Sequence, residues 1–202
     1  MQTIMTIILR CQAMRLYLAS ESPRRRVLLE RVVGEFAVES AQVDELSASA
    51  ELTPTEVASY NAAIKADAVA RKHPDAWVLG ADTIVVMADK IYGKPRDLAE
   101  AKVFLQEFSG REHKVLTAVA LRKQSEGRKV DFVSVSTVRF RKLDDEVIEK
   151  YLSLVPVLDK AGAYGIQEYG EMLVESWDGE LENIIGLPVA ELKRCFCNIG
   201  IL

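Results

Sequence analysis

Two long β-rich segments constrain the fold of this 202-residue chain more strongly than any other feature. They read HKVLTAVALR over residues 113–122 and VDFVSVSTVRF over residues 130–140, and a polar loop joins them. Their β-branched residues favour extended structure, so the pair predicts a β-hairpin. Helical patterns follow several other strand-like segments, and this order predicts a mixed α/β protein with a long, partly antiparallel sheet flanked by helices.

Helix starts are marked clearly in the first third of the chain. After a strand expected at residues 15–20, Ser22 and Pro23 suit the N-cap and the first turn of a helix. Thr53 and Glu56 have the spacing of a capping box, which predicts a second helix ending at about Lys72. The stripe expected to be buried on this second helix consists of Val57, Tyr60, Ile64 and Ala68.

Two further segments are expected to form strands. Residues 34–45, GEFAVESAQVDE, predict a strand that ends in acidic residues. Residues 76–95 predict a strand, a break at Gly80, a second strand, and then a turn at residues 89–90 that leads to a short strand. The break is expected because glycine weakens the interior of a strand.

Length and composition are those of an ordinary globular chain. We expect one domain over residues 15–202, preceded by an N-terminal extension at residues 1–14. The extension is apolar, but Arg10 interrupts it well short of the ~20 residues that span a membrane, so no membrane association is expected. The net charge of −4 argues against broad nucleic-acid binding, which needs an extensive basic face. The cysteines lack the spacing of a zinc site or a disulfide framework, which favours a reducing, cytoplasmic setting; they are Cys11, Cys195 and Cys197.

Three consecutive arginines occupy the predicted start of the first helix. Arg24, Arg25 and Arg26 lie where the helix dipole favours negative side chains, so an anionic ligand is expected to lie among them. A helix N-terminus itself favours phosphate, and Ser20 and Ser22 can add hydroxyl donors. The alternative is that the arginines are solvated on an exposed first turn.

A carboxylate interrupts the apolar segment LGADTIVV. Asp82 inside a buried strand is costly unless a lysine, a divalent metal or an activated water meets it. The alternative is that the strand ends at Gly80 and that Asp82 belongs to an exposed turn. Asp44 and Glu45 could join Asp82 around Mg²⁺, which prefers oxygen ligands and shares them with substrate phosphates, although adjacent acids are otherwise ordinary surface charges.

Two lysines and a glycine-rich segment complete the candidates. Lys65 lies beside the apolar stripe of its helix and Lys94 lies in a Gly-Lys-Pro turn, and each is also consistent with an ordinary solvated lysine. The segment DKAGAYGIQ, residues 159–167, allows close backbone approach to a ligand, and its Gln167 can both donate and accept hydrogen bonds at a base edge. No Walker loop occurs and no serine or cysteine has an evident partner base, so covalent catalysis is not expected.

Six separated motifs occur along the chain between about Leu16 and Val189: LYLASESPRR, LGADTIVV, YGKP, LTAVAL, DKAGAYGIQ and IIGLPV. In order and approximate spacing they are similar to those of the Maf family of nucleoside triphosphate pyrophosphatases. The resemblance implies an elongated α/β fold with two lobes around a deep cleft, similar to the inosine triphosphate pyrophosphatases, and a homodimer. It also implies a house-cleaning enzyme that hydrolyses a nucleoside triphosphate to the monophosphate and pyrophosphate with a divalent cation, Mg²⁺ or Mn²⁺.

The resemblance also implies a role for each matching residue. Asp82 would be the proton acceptor that activates water, and Glu45 would bind the metal together with it. Thr83 and Gln167 resemble the branch of the family that acts on dTTP and UTP. The other substrate-binding residues implied are Ser20, Arg24, Arg25, Lys65 and Lys94.

Two other functions remain open at the level of the residues. A nucleotide-sensing regulator linked to cell-division arrest would use the same cleft without turnover, and a general phosphatase would release orthophosphate. Glu45 and Asp82 favour turnover, because a sensor would gain from fewer negative groups beside a polyanion.

Overall fold

The computed structural model describes residues 16–47 and 51–202, so the expected extension at residues 1–14, together with Cys11 and Arg15, lies outside the described residues. The described strands are β1 (Leu16–Leu18), β2 (Ala37–Val38), β3 (Trp77–Met87), β4 (Lys90–Tyr92), β5 (Glu112–Lys123), β6 (Arg128–Phe140) and β7 (Val174–Asp178). The described α-helices are α1 (Pro23–Glu30), α2 (Pro54–Ala70), α3 (Leu98–Phe108), α4 (Asp145–Leu154), α5 (Leu181–Ile185) and α6 (Val189–Ile199).

The strands form one mixed sheet with helices packed against it, which confirms the expected fold class. The order is β2-β1-β3-β5-β6-β7, and β4 pairs with β3 off this path. β1 runs parallel to both β2 and β3, whereas the remaining pairs are antiparallel. The expected hairpin is β5 and β6, which pair from Glu112 opposite Arg139 to Lys123 opposite Arg128. No helix among the described residues is long and apolar enough to cross a membrane.

The strand around Asp82 differs from the sequence expectation. β3 continues without a break through Gly80, and Asp82 lies within it at 6 % exposure, so both the predicted break and the exposed-turn alternative are wrong. Glycine is needed there because a Cβ at this position would lie 2.3 Å from the Ala62 carbonyl oxygen and 2.7 Å from the Ala66 backbone nitrogen. Gly80 therefore marks the place where α2 crosses the sheet at close range.

Both predicted N-caps are confirmed, but the buried stripe of α2 is only partly the one expected: Val57 and Ala68 are buried, whereas Ile64 is half-buried. The Ser22 and Thr53 side chains accept hydrogen bonds from the backbone three residues on, and Thr53 forms the complete capping box with Glu56. Tyr60 is exposed, whereas Asn61 and Lys65 lie on the buried face. Small alanines dominate that face, so the helix approaches the sheet closely and two polar side chains lie between the layers.

The strand expected within residues 34–45 is also shorter than predicted. Only Ala37–Val38 forms a strand, and the chain then continues without regular structure to residue 47. Glu45 therefore lies on an irregular segment, and its position depends on contacts from other elements.

One edge of β3 is left unpaired between two short neighbours. β1 pairs with Trp77–Leu79 and β4 pairs with Val85–Met87, so among the described residues no strand covers positions 80–84 on that edge. The parallel strands β1 and β2 also end beside this gap, which is where ligand sites form in α/β sheets. The gap forms one wall of the cleft described below.

His113 is a buried titratable group in the core between β5, α3 and β6. It is 2 % exposed, it packs against Phe108 and Phe140, and its Nε2 lies 2.8 Å from the Tyr164 hydroxyl. Burial lowers the pKa of the imidazole from 6.5 to about 3. Because the unfolded chain takes up a proton that the folded chain excludes, the stability present above pH 6.5 is lost as the pH falls towards 3.

We expect this group alone to lower the free energy of unfolding by about 2 kcal/mol between about pH 7.5 and about pH 5. His113→Phe removes this titrating group. Between the same two pH values, the free energy of unfolding of the variant should therefore fall by about 2 kcal/mol less than that of the parent protein. The variant should be less stable at about pH 7.5, because the Tyr164 hydroxyl loses its partner, and this deficit should be about 2 kcal/mol smaller at about pH 5. Urea unfolding of both proteins at the two pH values measures this difference. An equal pH dependence of the two would contradict the assignment.

Candidate active site

A cleft of about 1080 Å³ opens at the unpaired edge of β3. It is bounded by the start of α1, the irregular segment after β2, the buried face of α2 and the glycine-rich segment at residues 159–167. Each residue to which the family resemblance gives a role lines it: Ser20, Arg24, Arg25, Glu45, Lys65, Asp82, Thr83, Lys94 and Gln167. Asp44 is exposed and is not part of the lining.

Lys65 holds two carboxylates together in the interior of the cleft. Its Nζ lies 2.8 Å from Asp82 Oδ1 and 2.7 Å from Glu45 Oε2. The side chains of Lys65 and Asp82 are only 10 % and 9 % exposed, whereas that of Glu45 is 47 % exposed. The ammonium thus offsets the burial of Asp82 and holds the carboxylate of Glu45 beside β3.

Two parallel rows on α2 explain this geometry. One row consists of Ala62 and Ala66, which contact Gly80. The other consists of Asn61 and Lys65, each one position before an alanine of the first row, and these two contact Asp82. Side chains four residues apart share one face of a helix, and residues two apart share one face of a strand. The close approach at Gly80 therefore brings the lysine within reach of the carboxylate.

Arg25 is held on the opposite wall of the cleft by three separate elements. Its Nε donates to the Gly186 carbonyl at 3.0 Å, Nη1 to Ser20 Oγ at 3.3 Å and Nη2 to Thr83 Oγ1 at 3.0 Å. Burial lowers the pKa of the guanidinium while Asp82 and Glu45 raise it, and an arginine remains protonated under such conditions. A guanidinium has five N–H groups, so these bonds to the described residues leave two for a ligand.

A buried chain of hydroxyl groups lies behind Arg25. Thr83 Oγ1 lies 3.0 Å from Thr117 Oγ1, and Thr117 donates to the Asn183 carbonyl at 3.0 Å. The Asn183 amide donates in turn to the Val115 carbonyl and to Ser136 Oγ. This wall of the cleft is thereby tied through β5 and β6 to α5.

Arg24 crosses the mouth of the cleft to the glycine-rich segment. Its Nη1 lies 2.9 Å from Asp159 Oδ2, and Lys160 Nζ lies 2.9 Å from the other oxygen of the same carboxylate. Burial of Asp159 would raise the pKa of its carboxyl, but the hydrogen bonds from Lys160 and Arg24 outweigh this and hold the pKa below its ordinary value. Arg24 is therefore paired with a carboxylate at the position where the sequence predicts an anion.

The remaining predicted residues lie at the rim. Lys94 follows β4 and Gln167 ends the glycine-rich segment, and both are exposed. Gly162 has a φ of +70° and packs against Val85, where a Cβ would lie 2.9 Å from a methyl group, so its role is close packing against β3. Arg26 points away from this constellation and forms an exposed pair with Glu30.

Acidic and basic side chains are equally numerous around the cleft. The basic ones are Arg24, Arg25, Lys65, Lys94, Arg96 and Lys160. The acidic ones are Glu21, Glu45, Asp82, Glu100, Asp159 and Glu168. A ligand with several negative charges would therefore leave the cleft net negative unless a cation entered with it.

The sequence did not single out Asn61, Thr117, Lys160 or Asn183, which join the candidate residues to the fold. Asn61 could have been found, because it lies four residues before Lys65 and so on the same helical face. Thr117 and Asn183 carry no local signal, since Thr117 contacts residues 34 and 66 positions away and the Asn183 side chain contacts residues 47 and 68 positions away. Among the described residues, no group of three or more His, Cys, Asp or Glu is gathered around a point that could hold a metal ion.

The fold is similar to that of the Ham1 protein of Staphylococcus aureus, with a TM-score of 0.55 at 13% identity over 92% of this chain and 99% of that one. Fold and cleft together define a mixed α/β protein that shares its fold with the Ham1 protein and has a charged cleft at a gap in the sheet. The chain belongs to the Maf family, since the family model described as Maf-like protein matches residues 15–199.

Two relatives of known name show how far the similarity extends. A dTTP/UTP pyrophosphatase of Akkermansia muciniphila is 45% identical over 183 residues, which are 91% of this chain and 95% of that protein. A dTTP/UTP pyrophosphatase of Clostridioides difficile is 42% identical over 179 residues, which are 89% of this chain and 92% of that protein. The family resemblance inferred from the six motifs is confirmed.

Proposed function

We propose that this protein is a nucleoside triphosphate pyrophosphatase that converts dTTP and UTP to the monophosphate and pyrophosphate. The observation that carries the proposal is the buried carboxylate of Asp82, which Lys65 holds beside Glu45 in a cleft that Arg24 and Arg25 enter from the other side. The names of the relatives at 45% and 42% identity supply the substrates.

In this proposal the cationic side chains position the triphosphate. Arg25 keeps two N–H groups for phosphate oxygens, and Lys94 lies at the rim for the outer phosphates. Arg24 exchanges Asp159 for a phosphate when the nucleotide enters. A guanidinium held by three elements loses little freedom on binding, so the contact favours the charge that develops during phosphoryl transfer.

Asp82 acts as the proton acceptor in the proposed reaction. A water molecule attacks the α-phosphorus, a new P–O bond forms, and the bond from that phosphorus to the bridging oxygen breaks. Pyrophosphate leaves with the bonding electron pair, and the proton of the water passes to Asp82. The ammonium of Lys65, 2.8 Å from Asp82 Oδ1, orients the carboxylate for this transfer.

The donor set fits a divalent cation such as Mg²⁺ or Mn²⁺. Glu45 and Asp82 supply two carboxylates beside the place proposed for the phosphates, which is the arrangement that Mg²⁺ prefers. The equal numbers of acidic and basic side chains also require added positive charge to accompany a triphosphate. When bound, the cation would withdraw charge from the phosphate oxygens and lower the pKa of water. Lys65 would then remain in contact with both carboxylates.

Thr83 and Gln167 are proposed to contact the nucleotide, as is Ser20. Thr83 lies on the wall of the cleft beside Arg25, and Gln167 lies on the glycine-rich segment across from it. A carboxamide matches the alternating acceptor and donor groups of a uracil or thymine edge. A homodimer stays a prediction of the resemblance, while a cytoplasmic location and a single domain over residues 15–202 stay predictions from the cysteines and the length of the chain.

The proposal is tested by resolving the first products of hydrolysis. Purified protein with Mg²⁺ or Mn²⁺ is incubated with a panel of nucleoside triphosphates, and nucleotides, pyrophosphate and orthophosphate are separated by ion-exchange chromatography. We expect pyrophosphate and the monophosphate from dTTP and UTP. Orthophosphate as the first product would identify a general phosphatase instead. Tight binding of dTTP without turnover would favour a nucleotide sensor.

Arg24 and Arg26 form a matched pair for testing the arginine cluster. Arg24→Ala should lower kcat/KM about 10- to 100-fold, because a charge-assisted hydrogen bond to phosphate is worth about 1.5–3 kcal/mol. Arg26→Ala should change it by less than about twofold, since exposed ion pairs such as that with Glu30 contribute little. Steady-state kinetics of both variants measure the difference. Equal losses in the two would show that the arginines act only through the general charge of the helix start.

A further inference from the structure

The position of Glu45 depends on one buried asparagine. Glu45 lies on the irregular segment that ends at residue 47, and its side chain is 47 % exposed. Asn61, only 3 % exposed on α2, forms hydrogen bonds to both the backbone N–H and the backbone carbonyl of Leu46, the residue next to Glu45. The Leu46 N–H donates to Asn61 Oδ1 at 2.8 Å, and Asn61 Nδ2 donates to the Leu46 carbonyl at 3.0 Å. This pair of bonds replaces the strand ladder that the segment lacks.

The same carboxamide also reaches the other carboxylate. Asn61 Nδ2 lies 3.4 Å from Asp82 Oδ2, the oxygen that Lys65 does not bind. The amide nitrogen has two hydrogens, one for Leu46 and one for Asp82, and the amide oxygen accepts from Leu46. Asn61 therefore connects the segment that carries Glu45 directly to the side chain of Asp82, while Lys65 connects the two carboxylates through the next turn of the same helix.

We propose that Asn61 is a positioning residue that fixes Glu45 at the separation from Asp82 needed for a divalent cation. The inference rests on the proposed function, in which these two carboxylates bind the metal. Groups that orient metal ligands without touching the metal typically change its affinity 10- to 100-fold when they are removed. Lys65 alone cannot supply this restraint, because a single ammonium contact leaves the backbone of the half-exposed segment unheld.

The test measures Mn²⁺ binding directly, with no nucleotide and no turnover. Free Mn²⁺ is followed by electron paramagnetic resonance during titration of the full chain and of Asn61→Leu, which keeps a similar volume but makes no hydrogen bond. We expect Asn61→Leu to bind Mn²⁺ about 10- to 100-fold more weakly. Activity of the same variant should recover as Mg²⁺ is raised, because the loss is in metal affinity.

Val69→Ala provides the matched control. Val69 is fully buried on the same helix in the core cluster with Ala66 and Val78, and it has no part in the contacts to Leu46. The cavity should lower the thermal unfolding temperature, yet Mn²⁺ affinity should stay within about twofold of the parent. A loss of Mn²⁺ affinity in this variant equal to that in Asn61→Leu would mean that α2 stability alone governs binding, and would overturn the inference.

A double-mutant cycle with Glu45→Gln tests the route of the effect. If Asn61 acts through Glu45, adding Asn61→Leu to Glu45→Gln should weaken Mn²⁺ binding by less than about threefold further. If Asn61→Leu weakened Mn²⁺ binding by its full factor in the Glu45→Gln background as well, the inference would be overturned. The same would hold if Asn61→Leu bound Mn²⁺ like the parent while Glu45→Gln bound it weakly. Either result would leave the proposed function standing. Failure of the parent protein to bind Mn²⁺, or unchanged binding by Glu45→Gln, would remove Glu45 from the metal site and the inference with it.

Discussion

Asp82→Asn should lower kcat for dTTP hydrolysis by about 10²–10⁴-fold, the contribution usual for a positioned general base. An amide has nearly the size of a carboxylate and can still accept the hydrogen bond that Lys65 donates at 2.8 Å, although it loses the longer contact from Asn61 at 3.4 Å. It cannot take a proton from water, so the chemical step loses its acceptor while the geometry of the cleft is retained. Steady-state assays of pyrophosphate release at saturating dTTP measure the decrease in kcat.

Binding and folding distinguish this result from simple damage. Removing a negative charge beside a triphosphate should leave dTTP affinity unchanged or raise it, as measured by calorimetry without the cation. Circular dichroism and the unfolding temperature should remain close to those of the parent. Turnover by Asp82→Asn at the parent rate would show that another group accepts the proton, and would remove Asp82 from its proposed role.

Gly80→Ala should destabilise the protein by about 3 kcal/mol or more, the largest stability effect that we expect from one methyl group. The new Cβ would lie 2.3 Å from the Ala62 carbonyl oxygen and 2.7 Å from the Ala66 nitrogen, and both are backbone atoms of α2 that no rotamer change can move. The helix must shift away from the sheet. Because Lys65 lies on the same face of that helix, the shift should also separate it from Asp82 and lower turnover.

Gly34→Ala is the matched control for this change. A Cβ at Gly34 meets nothing within 4 Å, so the same substitution should alter stability by less than about 1 kcal/mol. Urea denaturation of the two variants compares them directly. Equal stability of Gly80→Ala and the parent would mean that the distance between α2 and β3 is adjustable and that it does not hold Lys65 in place.

The sequence predicts most of this architecture because its signals are local. The hairpin of β5 and β6 follows from β-branched residues around a polar loop, and the starts of α1 and α2 follow from Ser22 and from the Thr53 capping box. Asp82 could be predicted because charge in an apolar setting has a physical cost that demands a partner, whereas the roles of Thr83 and Lys94 follow from the family resemblance.

What the sequence does not predict depends on contacts between distant elements. Gly80 is indistinguishable from a strand break until the backbone of α2 is placed against it. Tyr60 fits a helical stripe by spacing, yet it is exposed because alanines on the adjacent face allow a closer approach to the sheet. The irregular course around Glu45 likewise follows from Asn61, whose hydrogen bonds to Leu46 replace a ladder.

The row of hydroxyl groups behind Arg25 has a polarity. The Asn183 carbonyl can only accept, so the Thr117 hydroxyl donates its single hydrogen to it. The Thr117 oxygen can then only accept from the Thr83 hydroxyl, which donates to it. Thr83 is left with lone pairs, one of which accepts from Arg25. Towards a ligand in the cleft, Thr83 is therefore an acceptor only, and a group that it recognises must bring its own hydrogen. Thr117, buried on the neighbouring strand β5, thus determines that this wall of the cleft offers a ligand an acceptor and not a donor at Thr83.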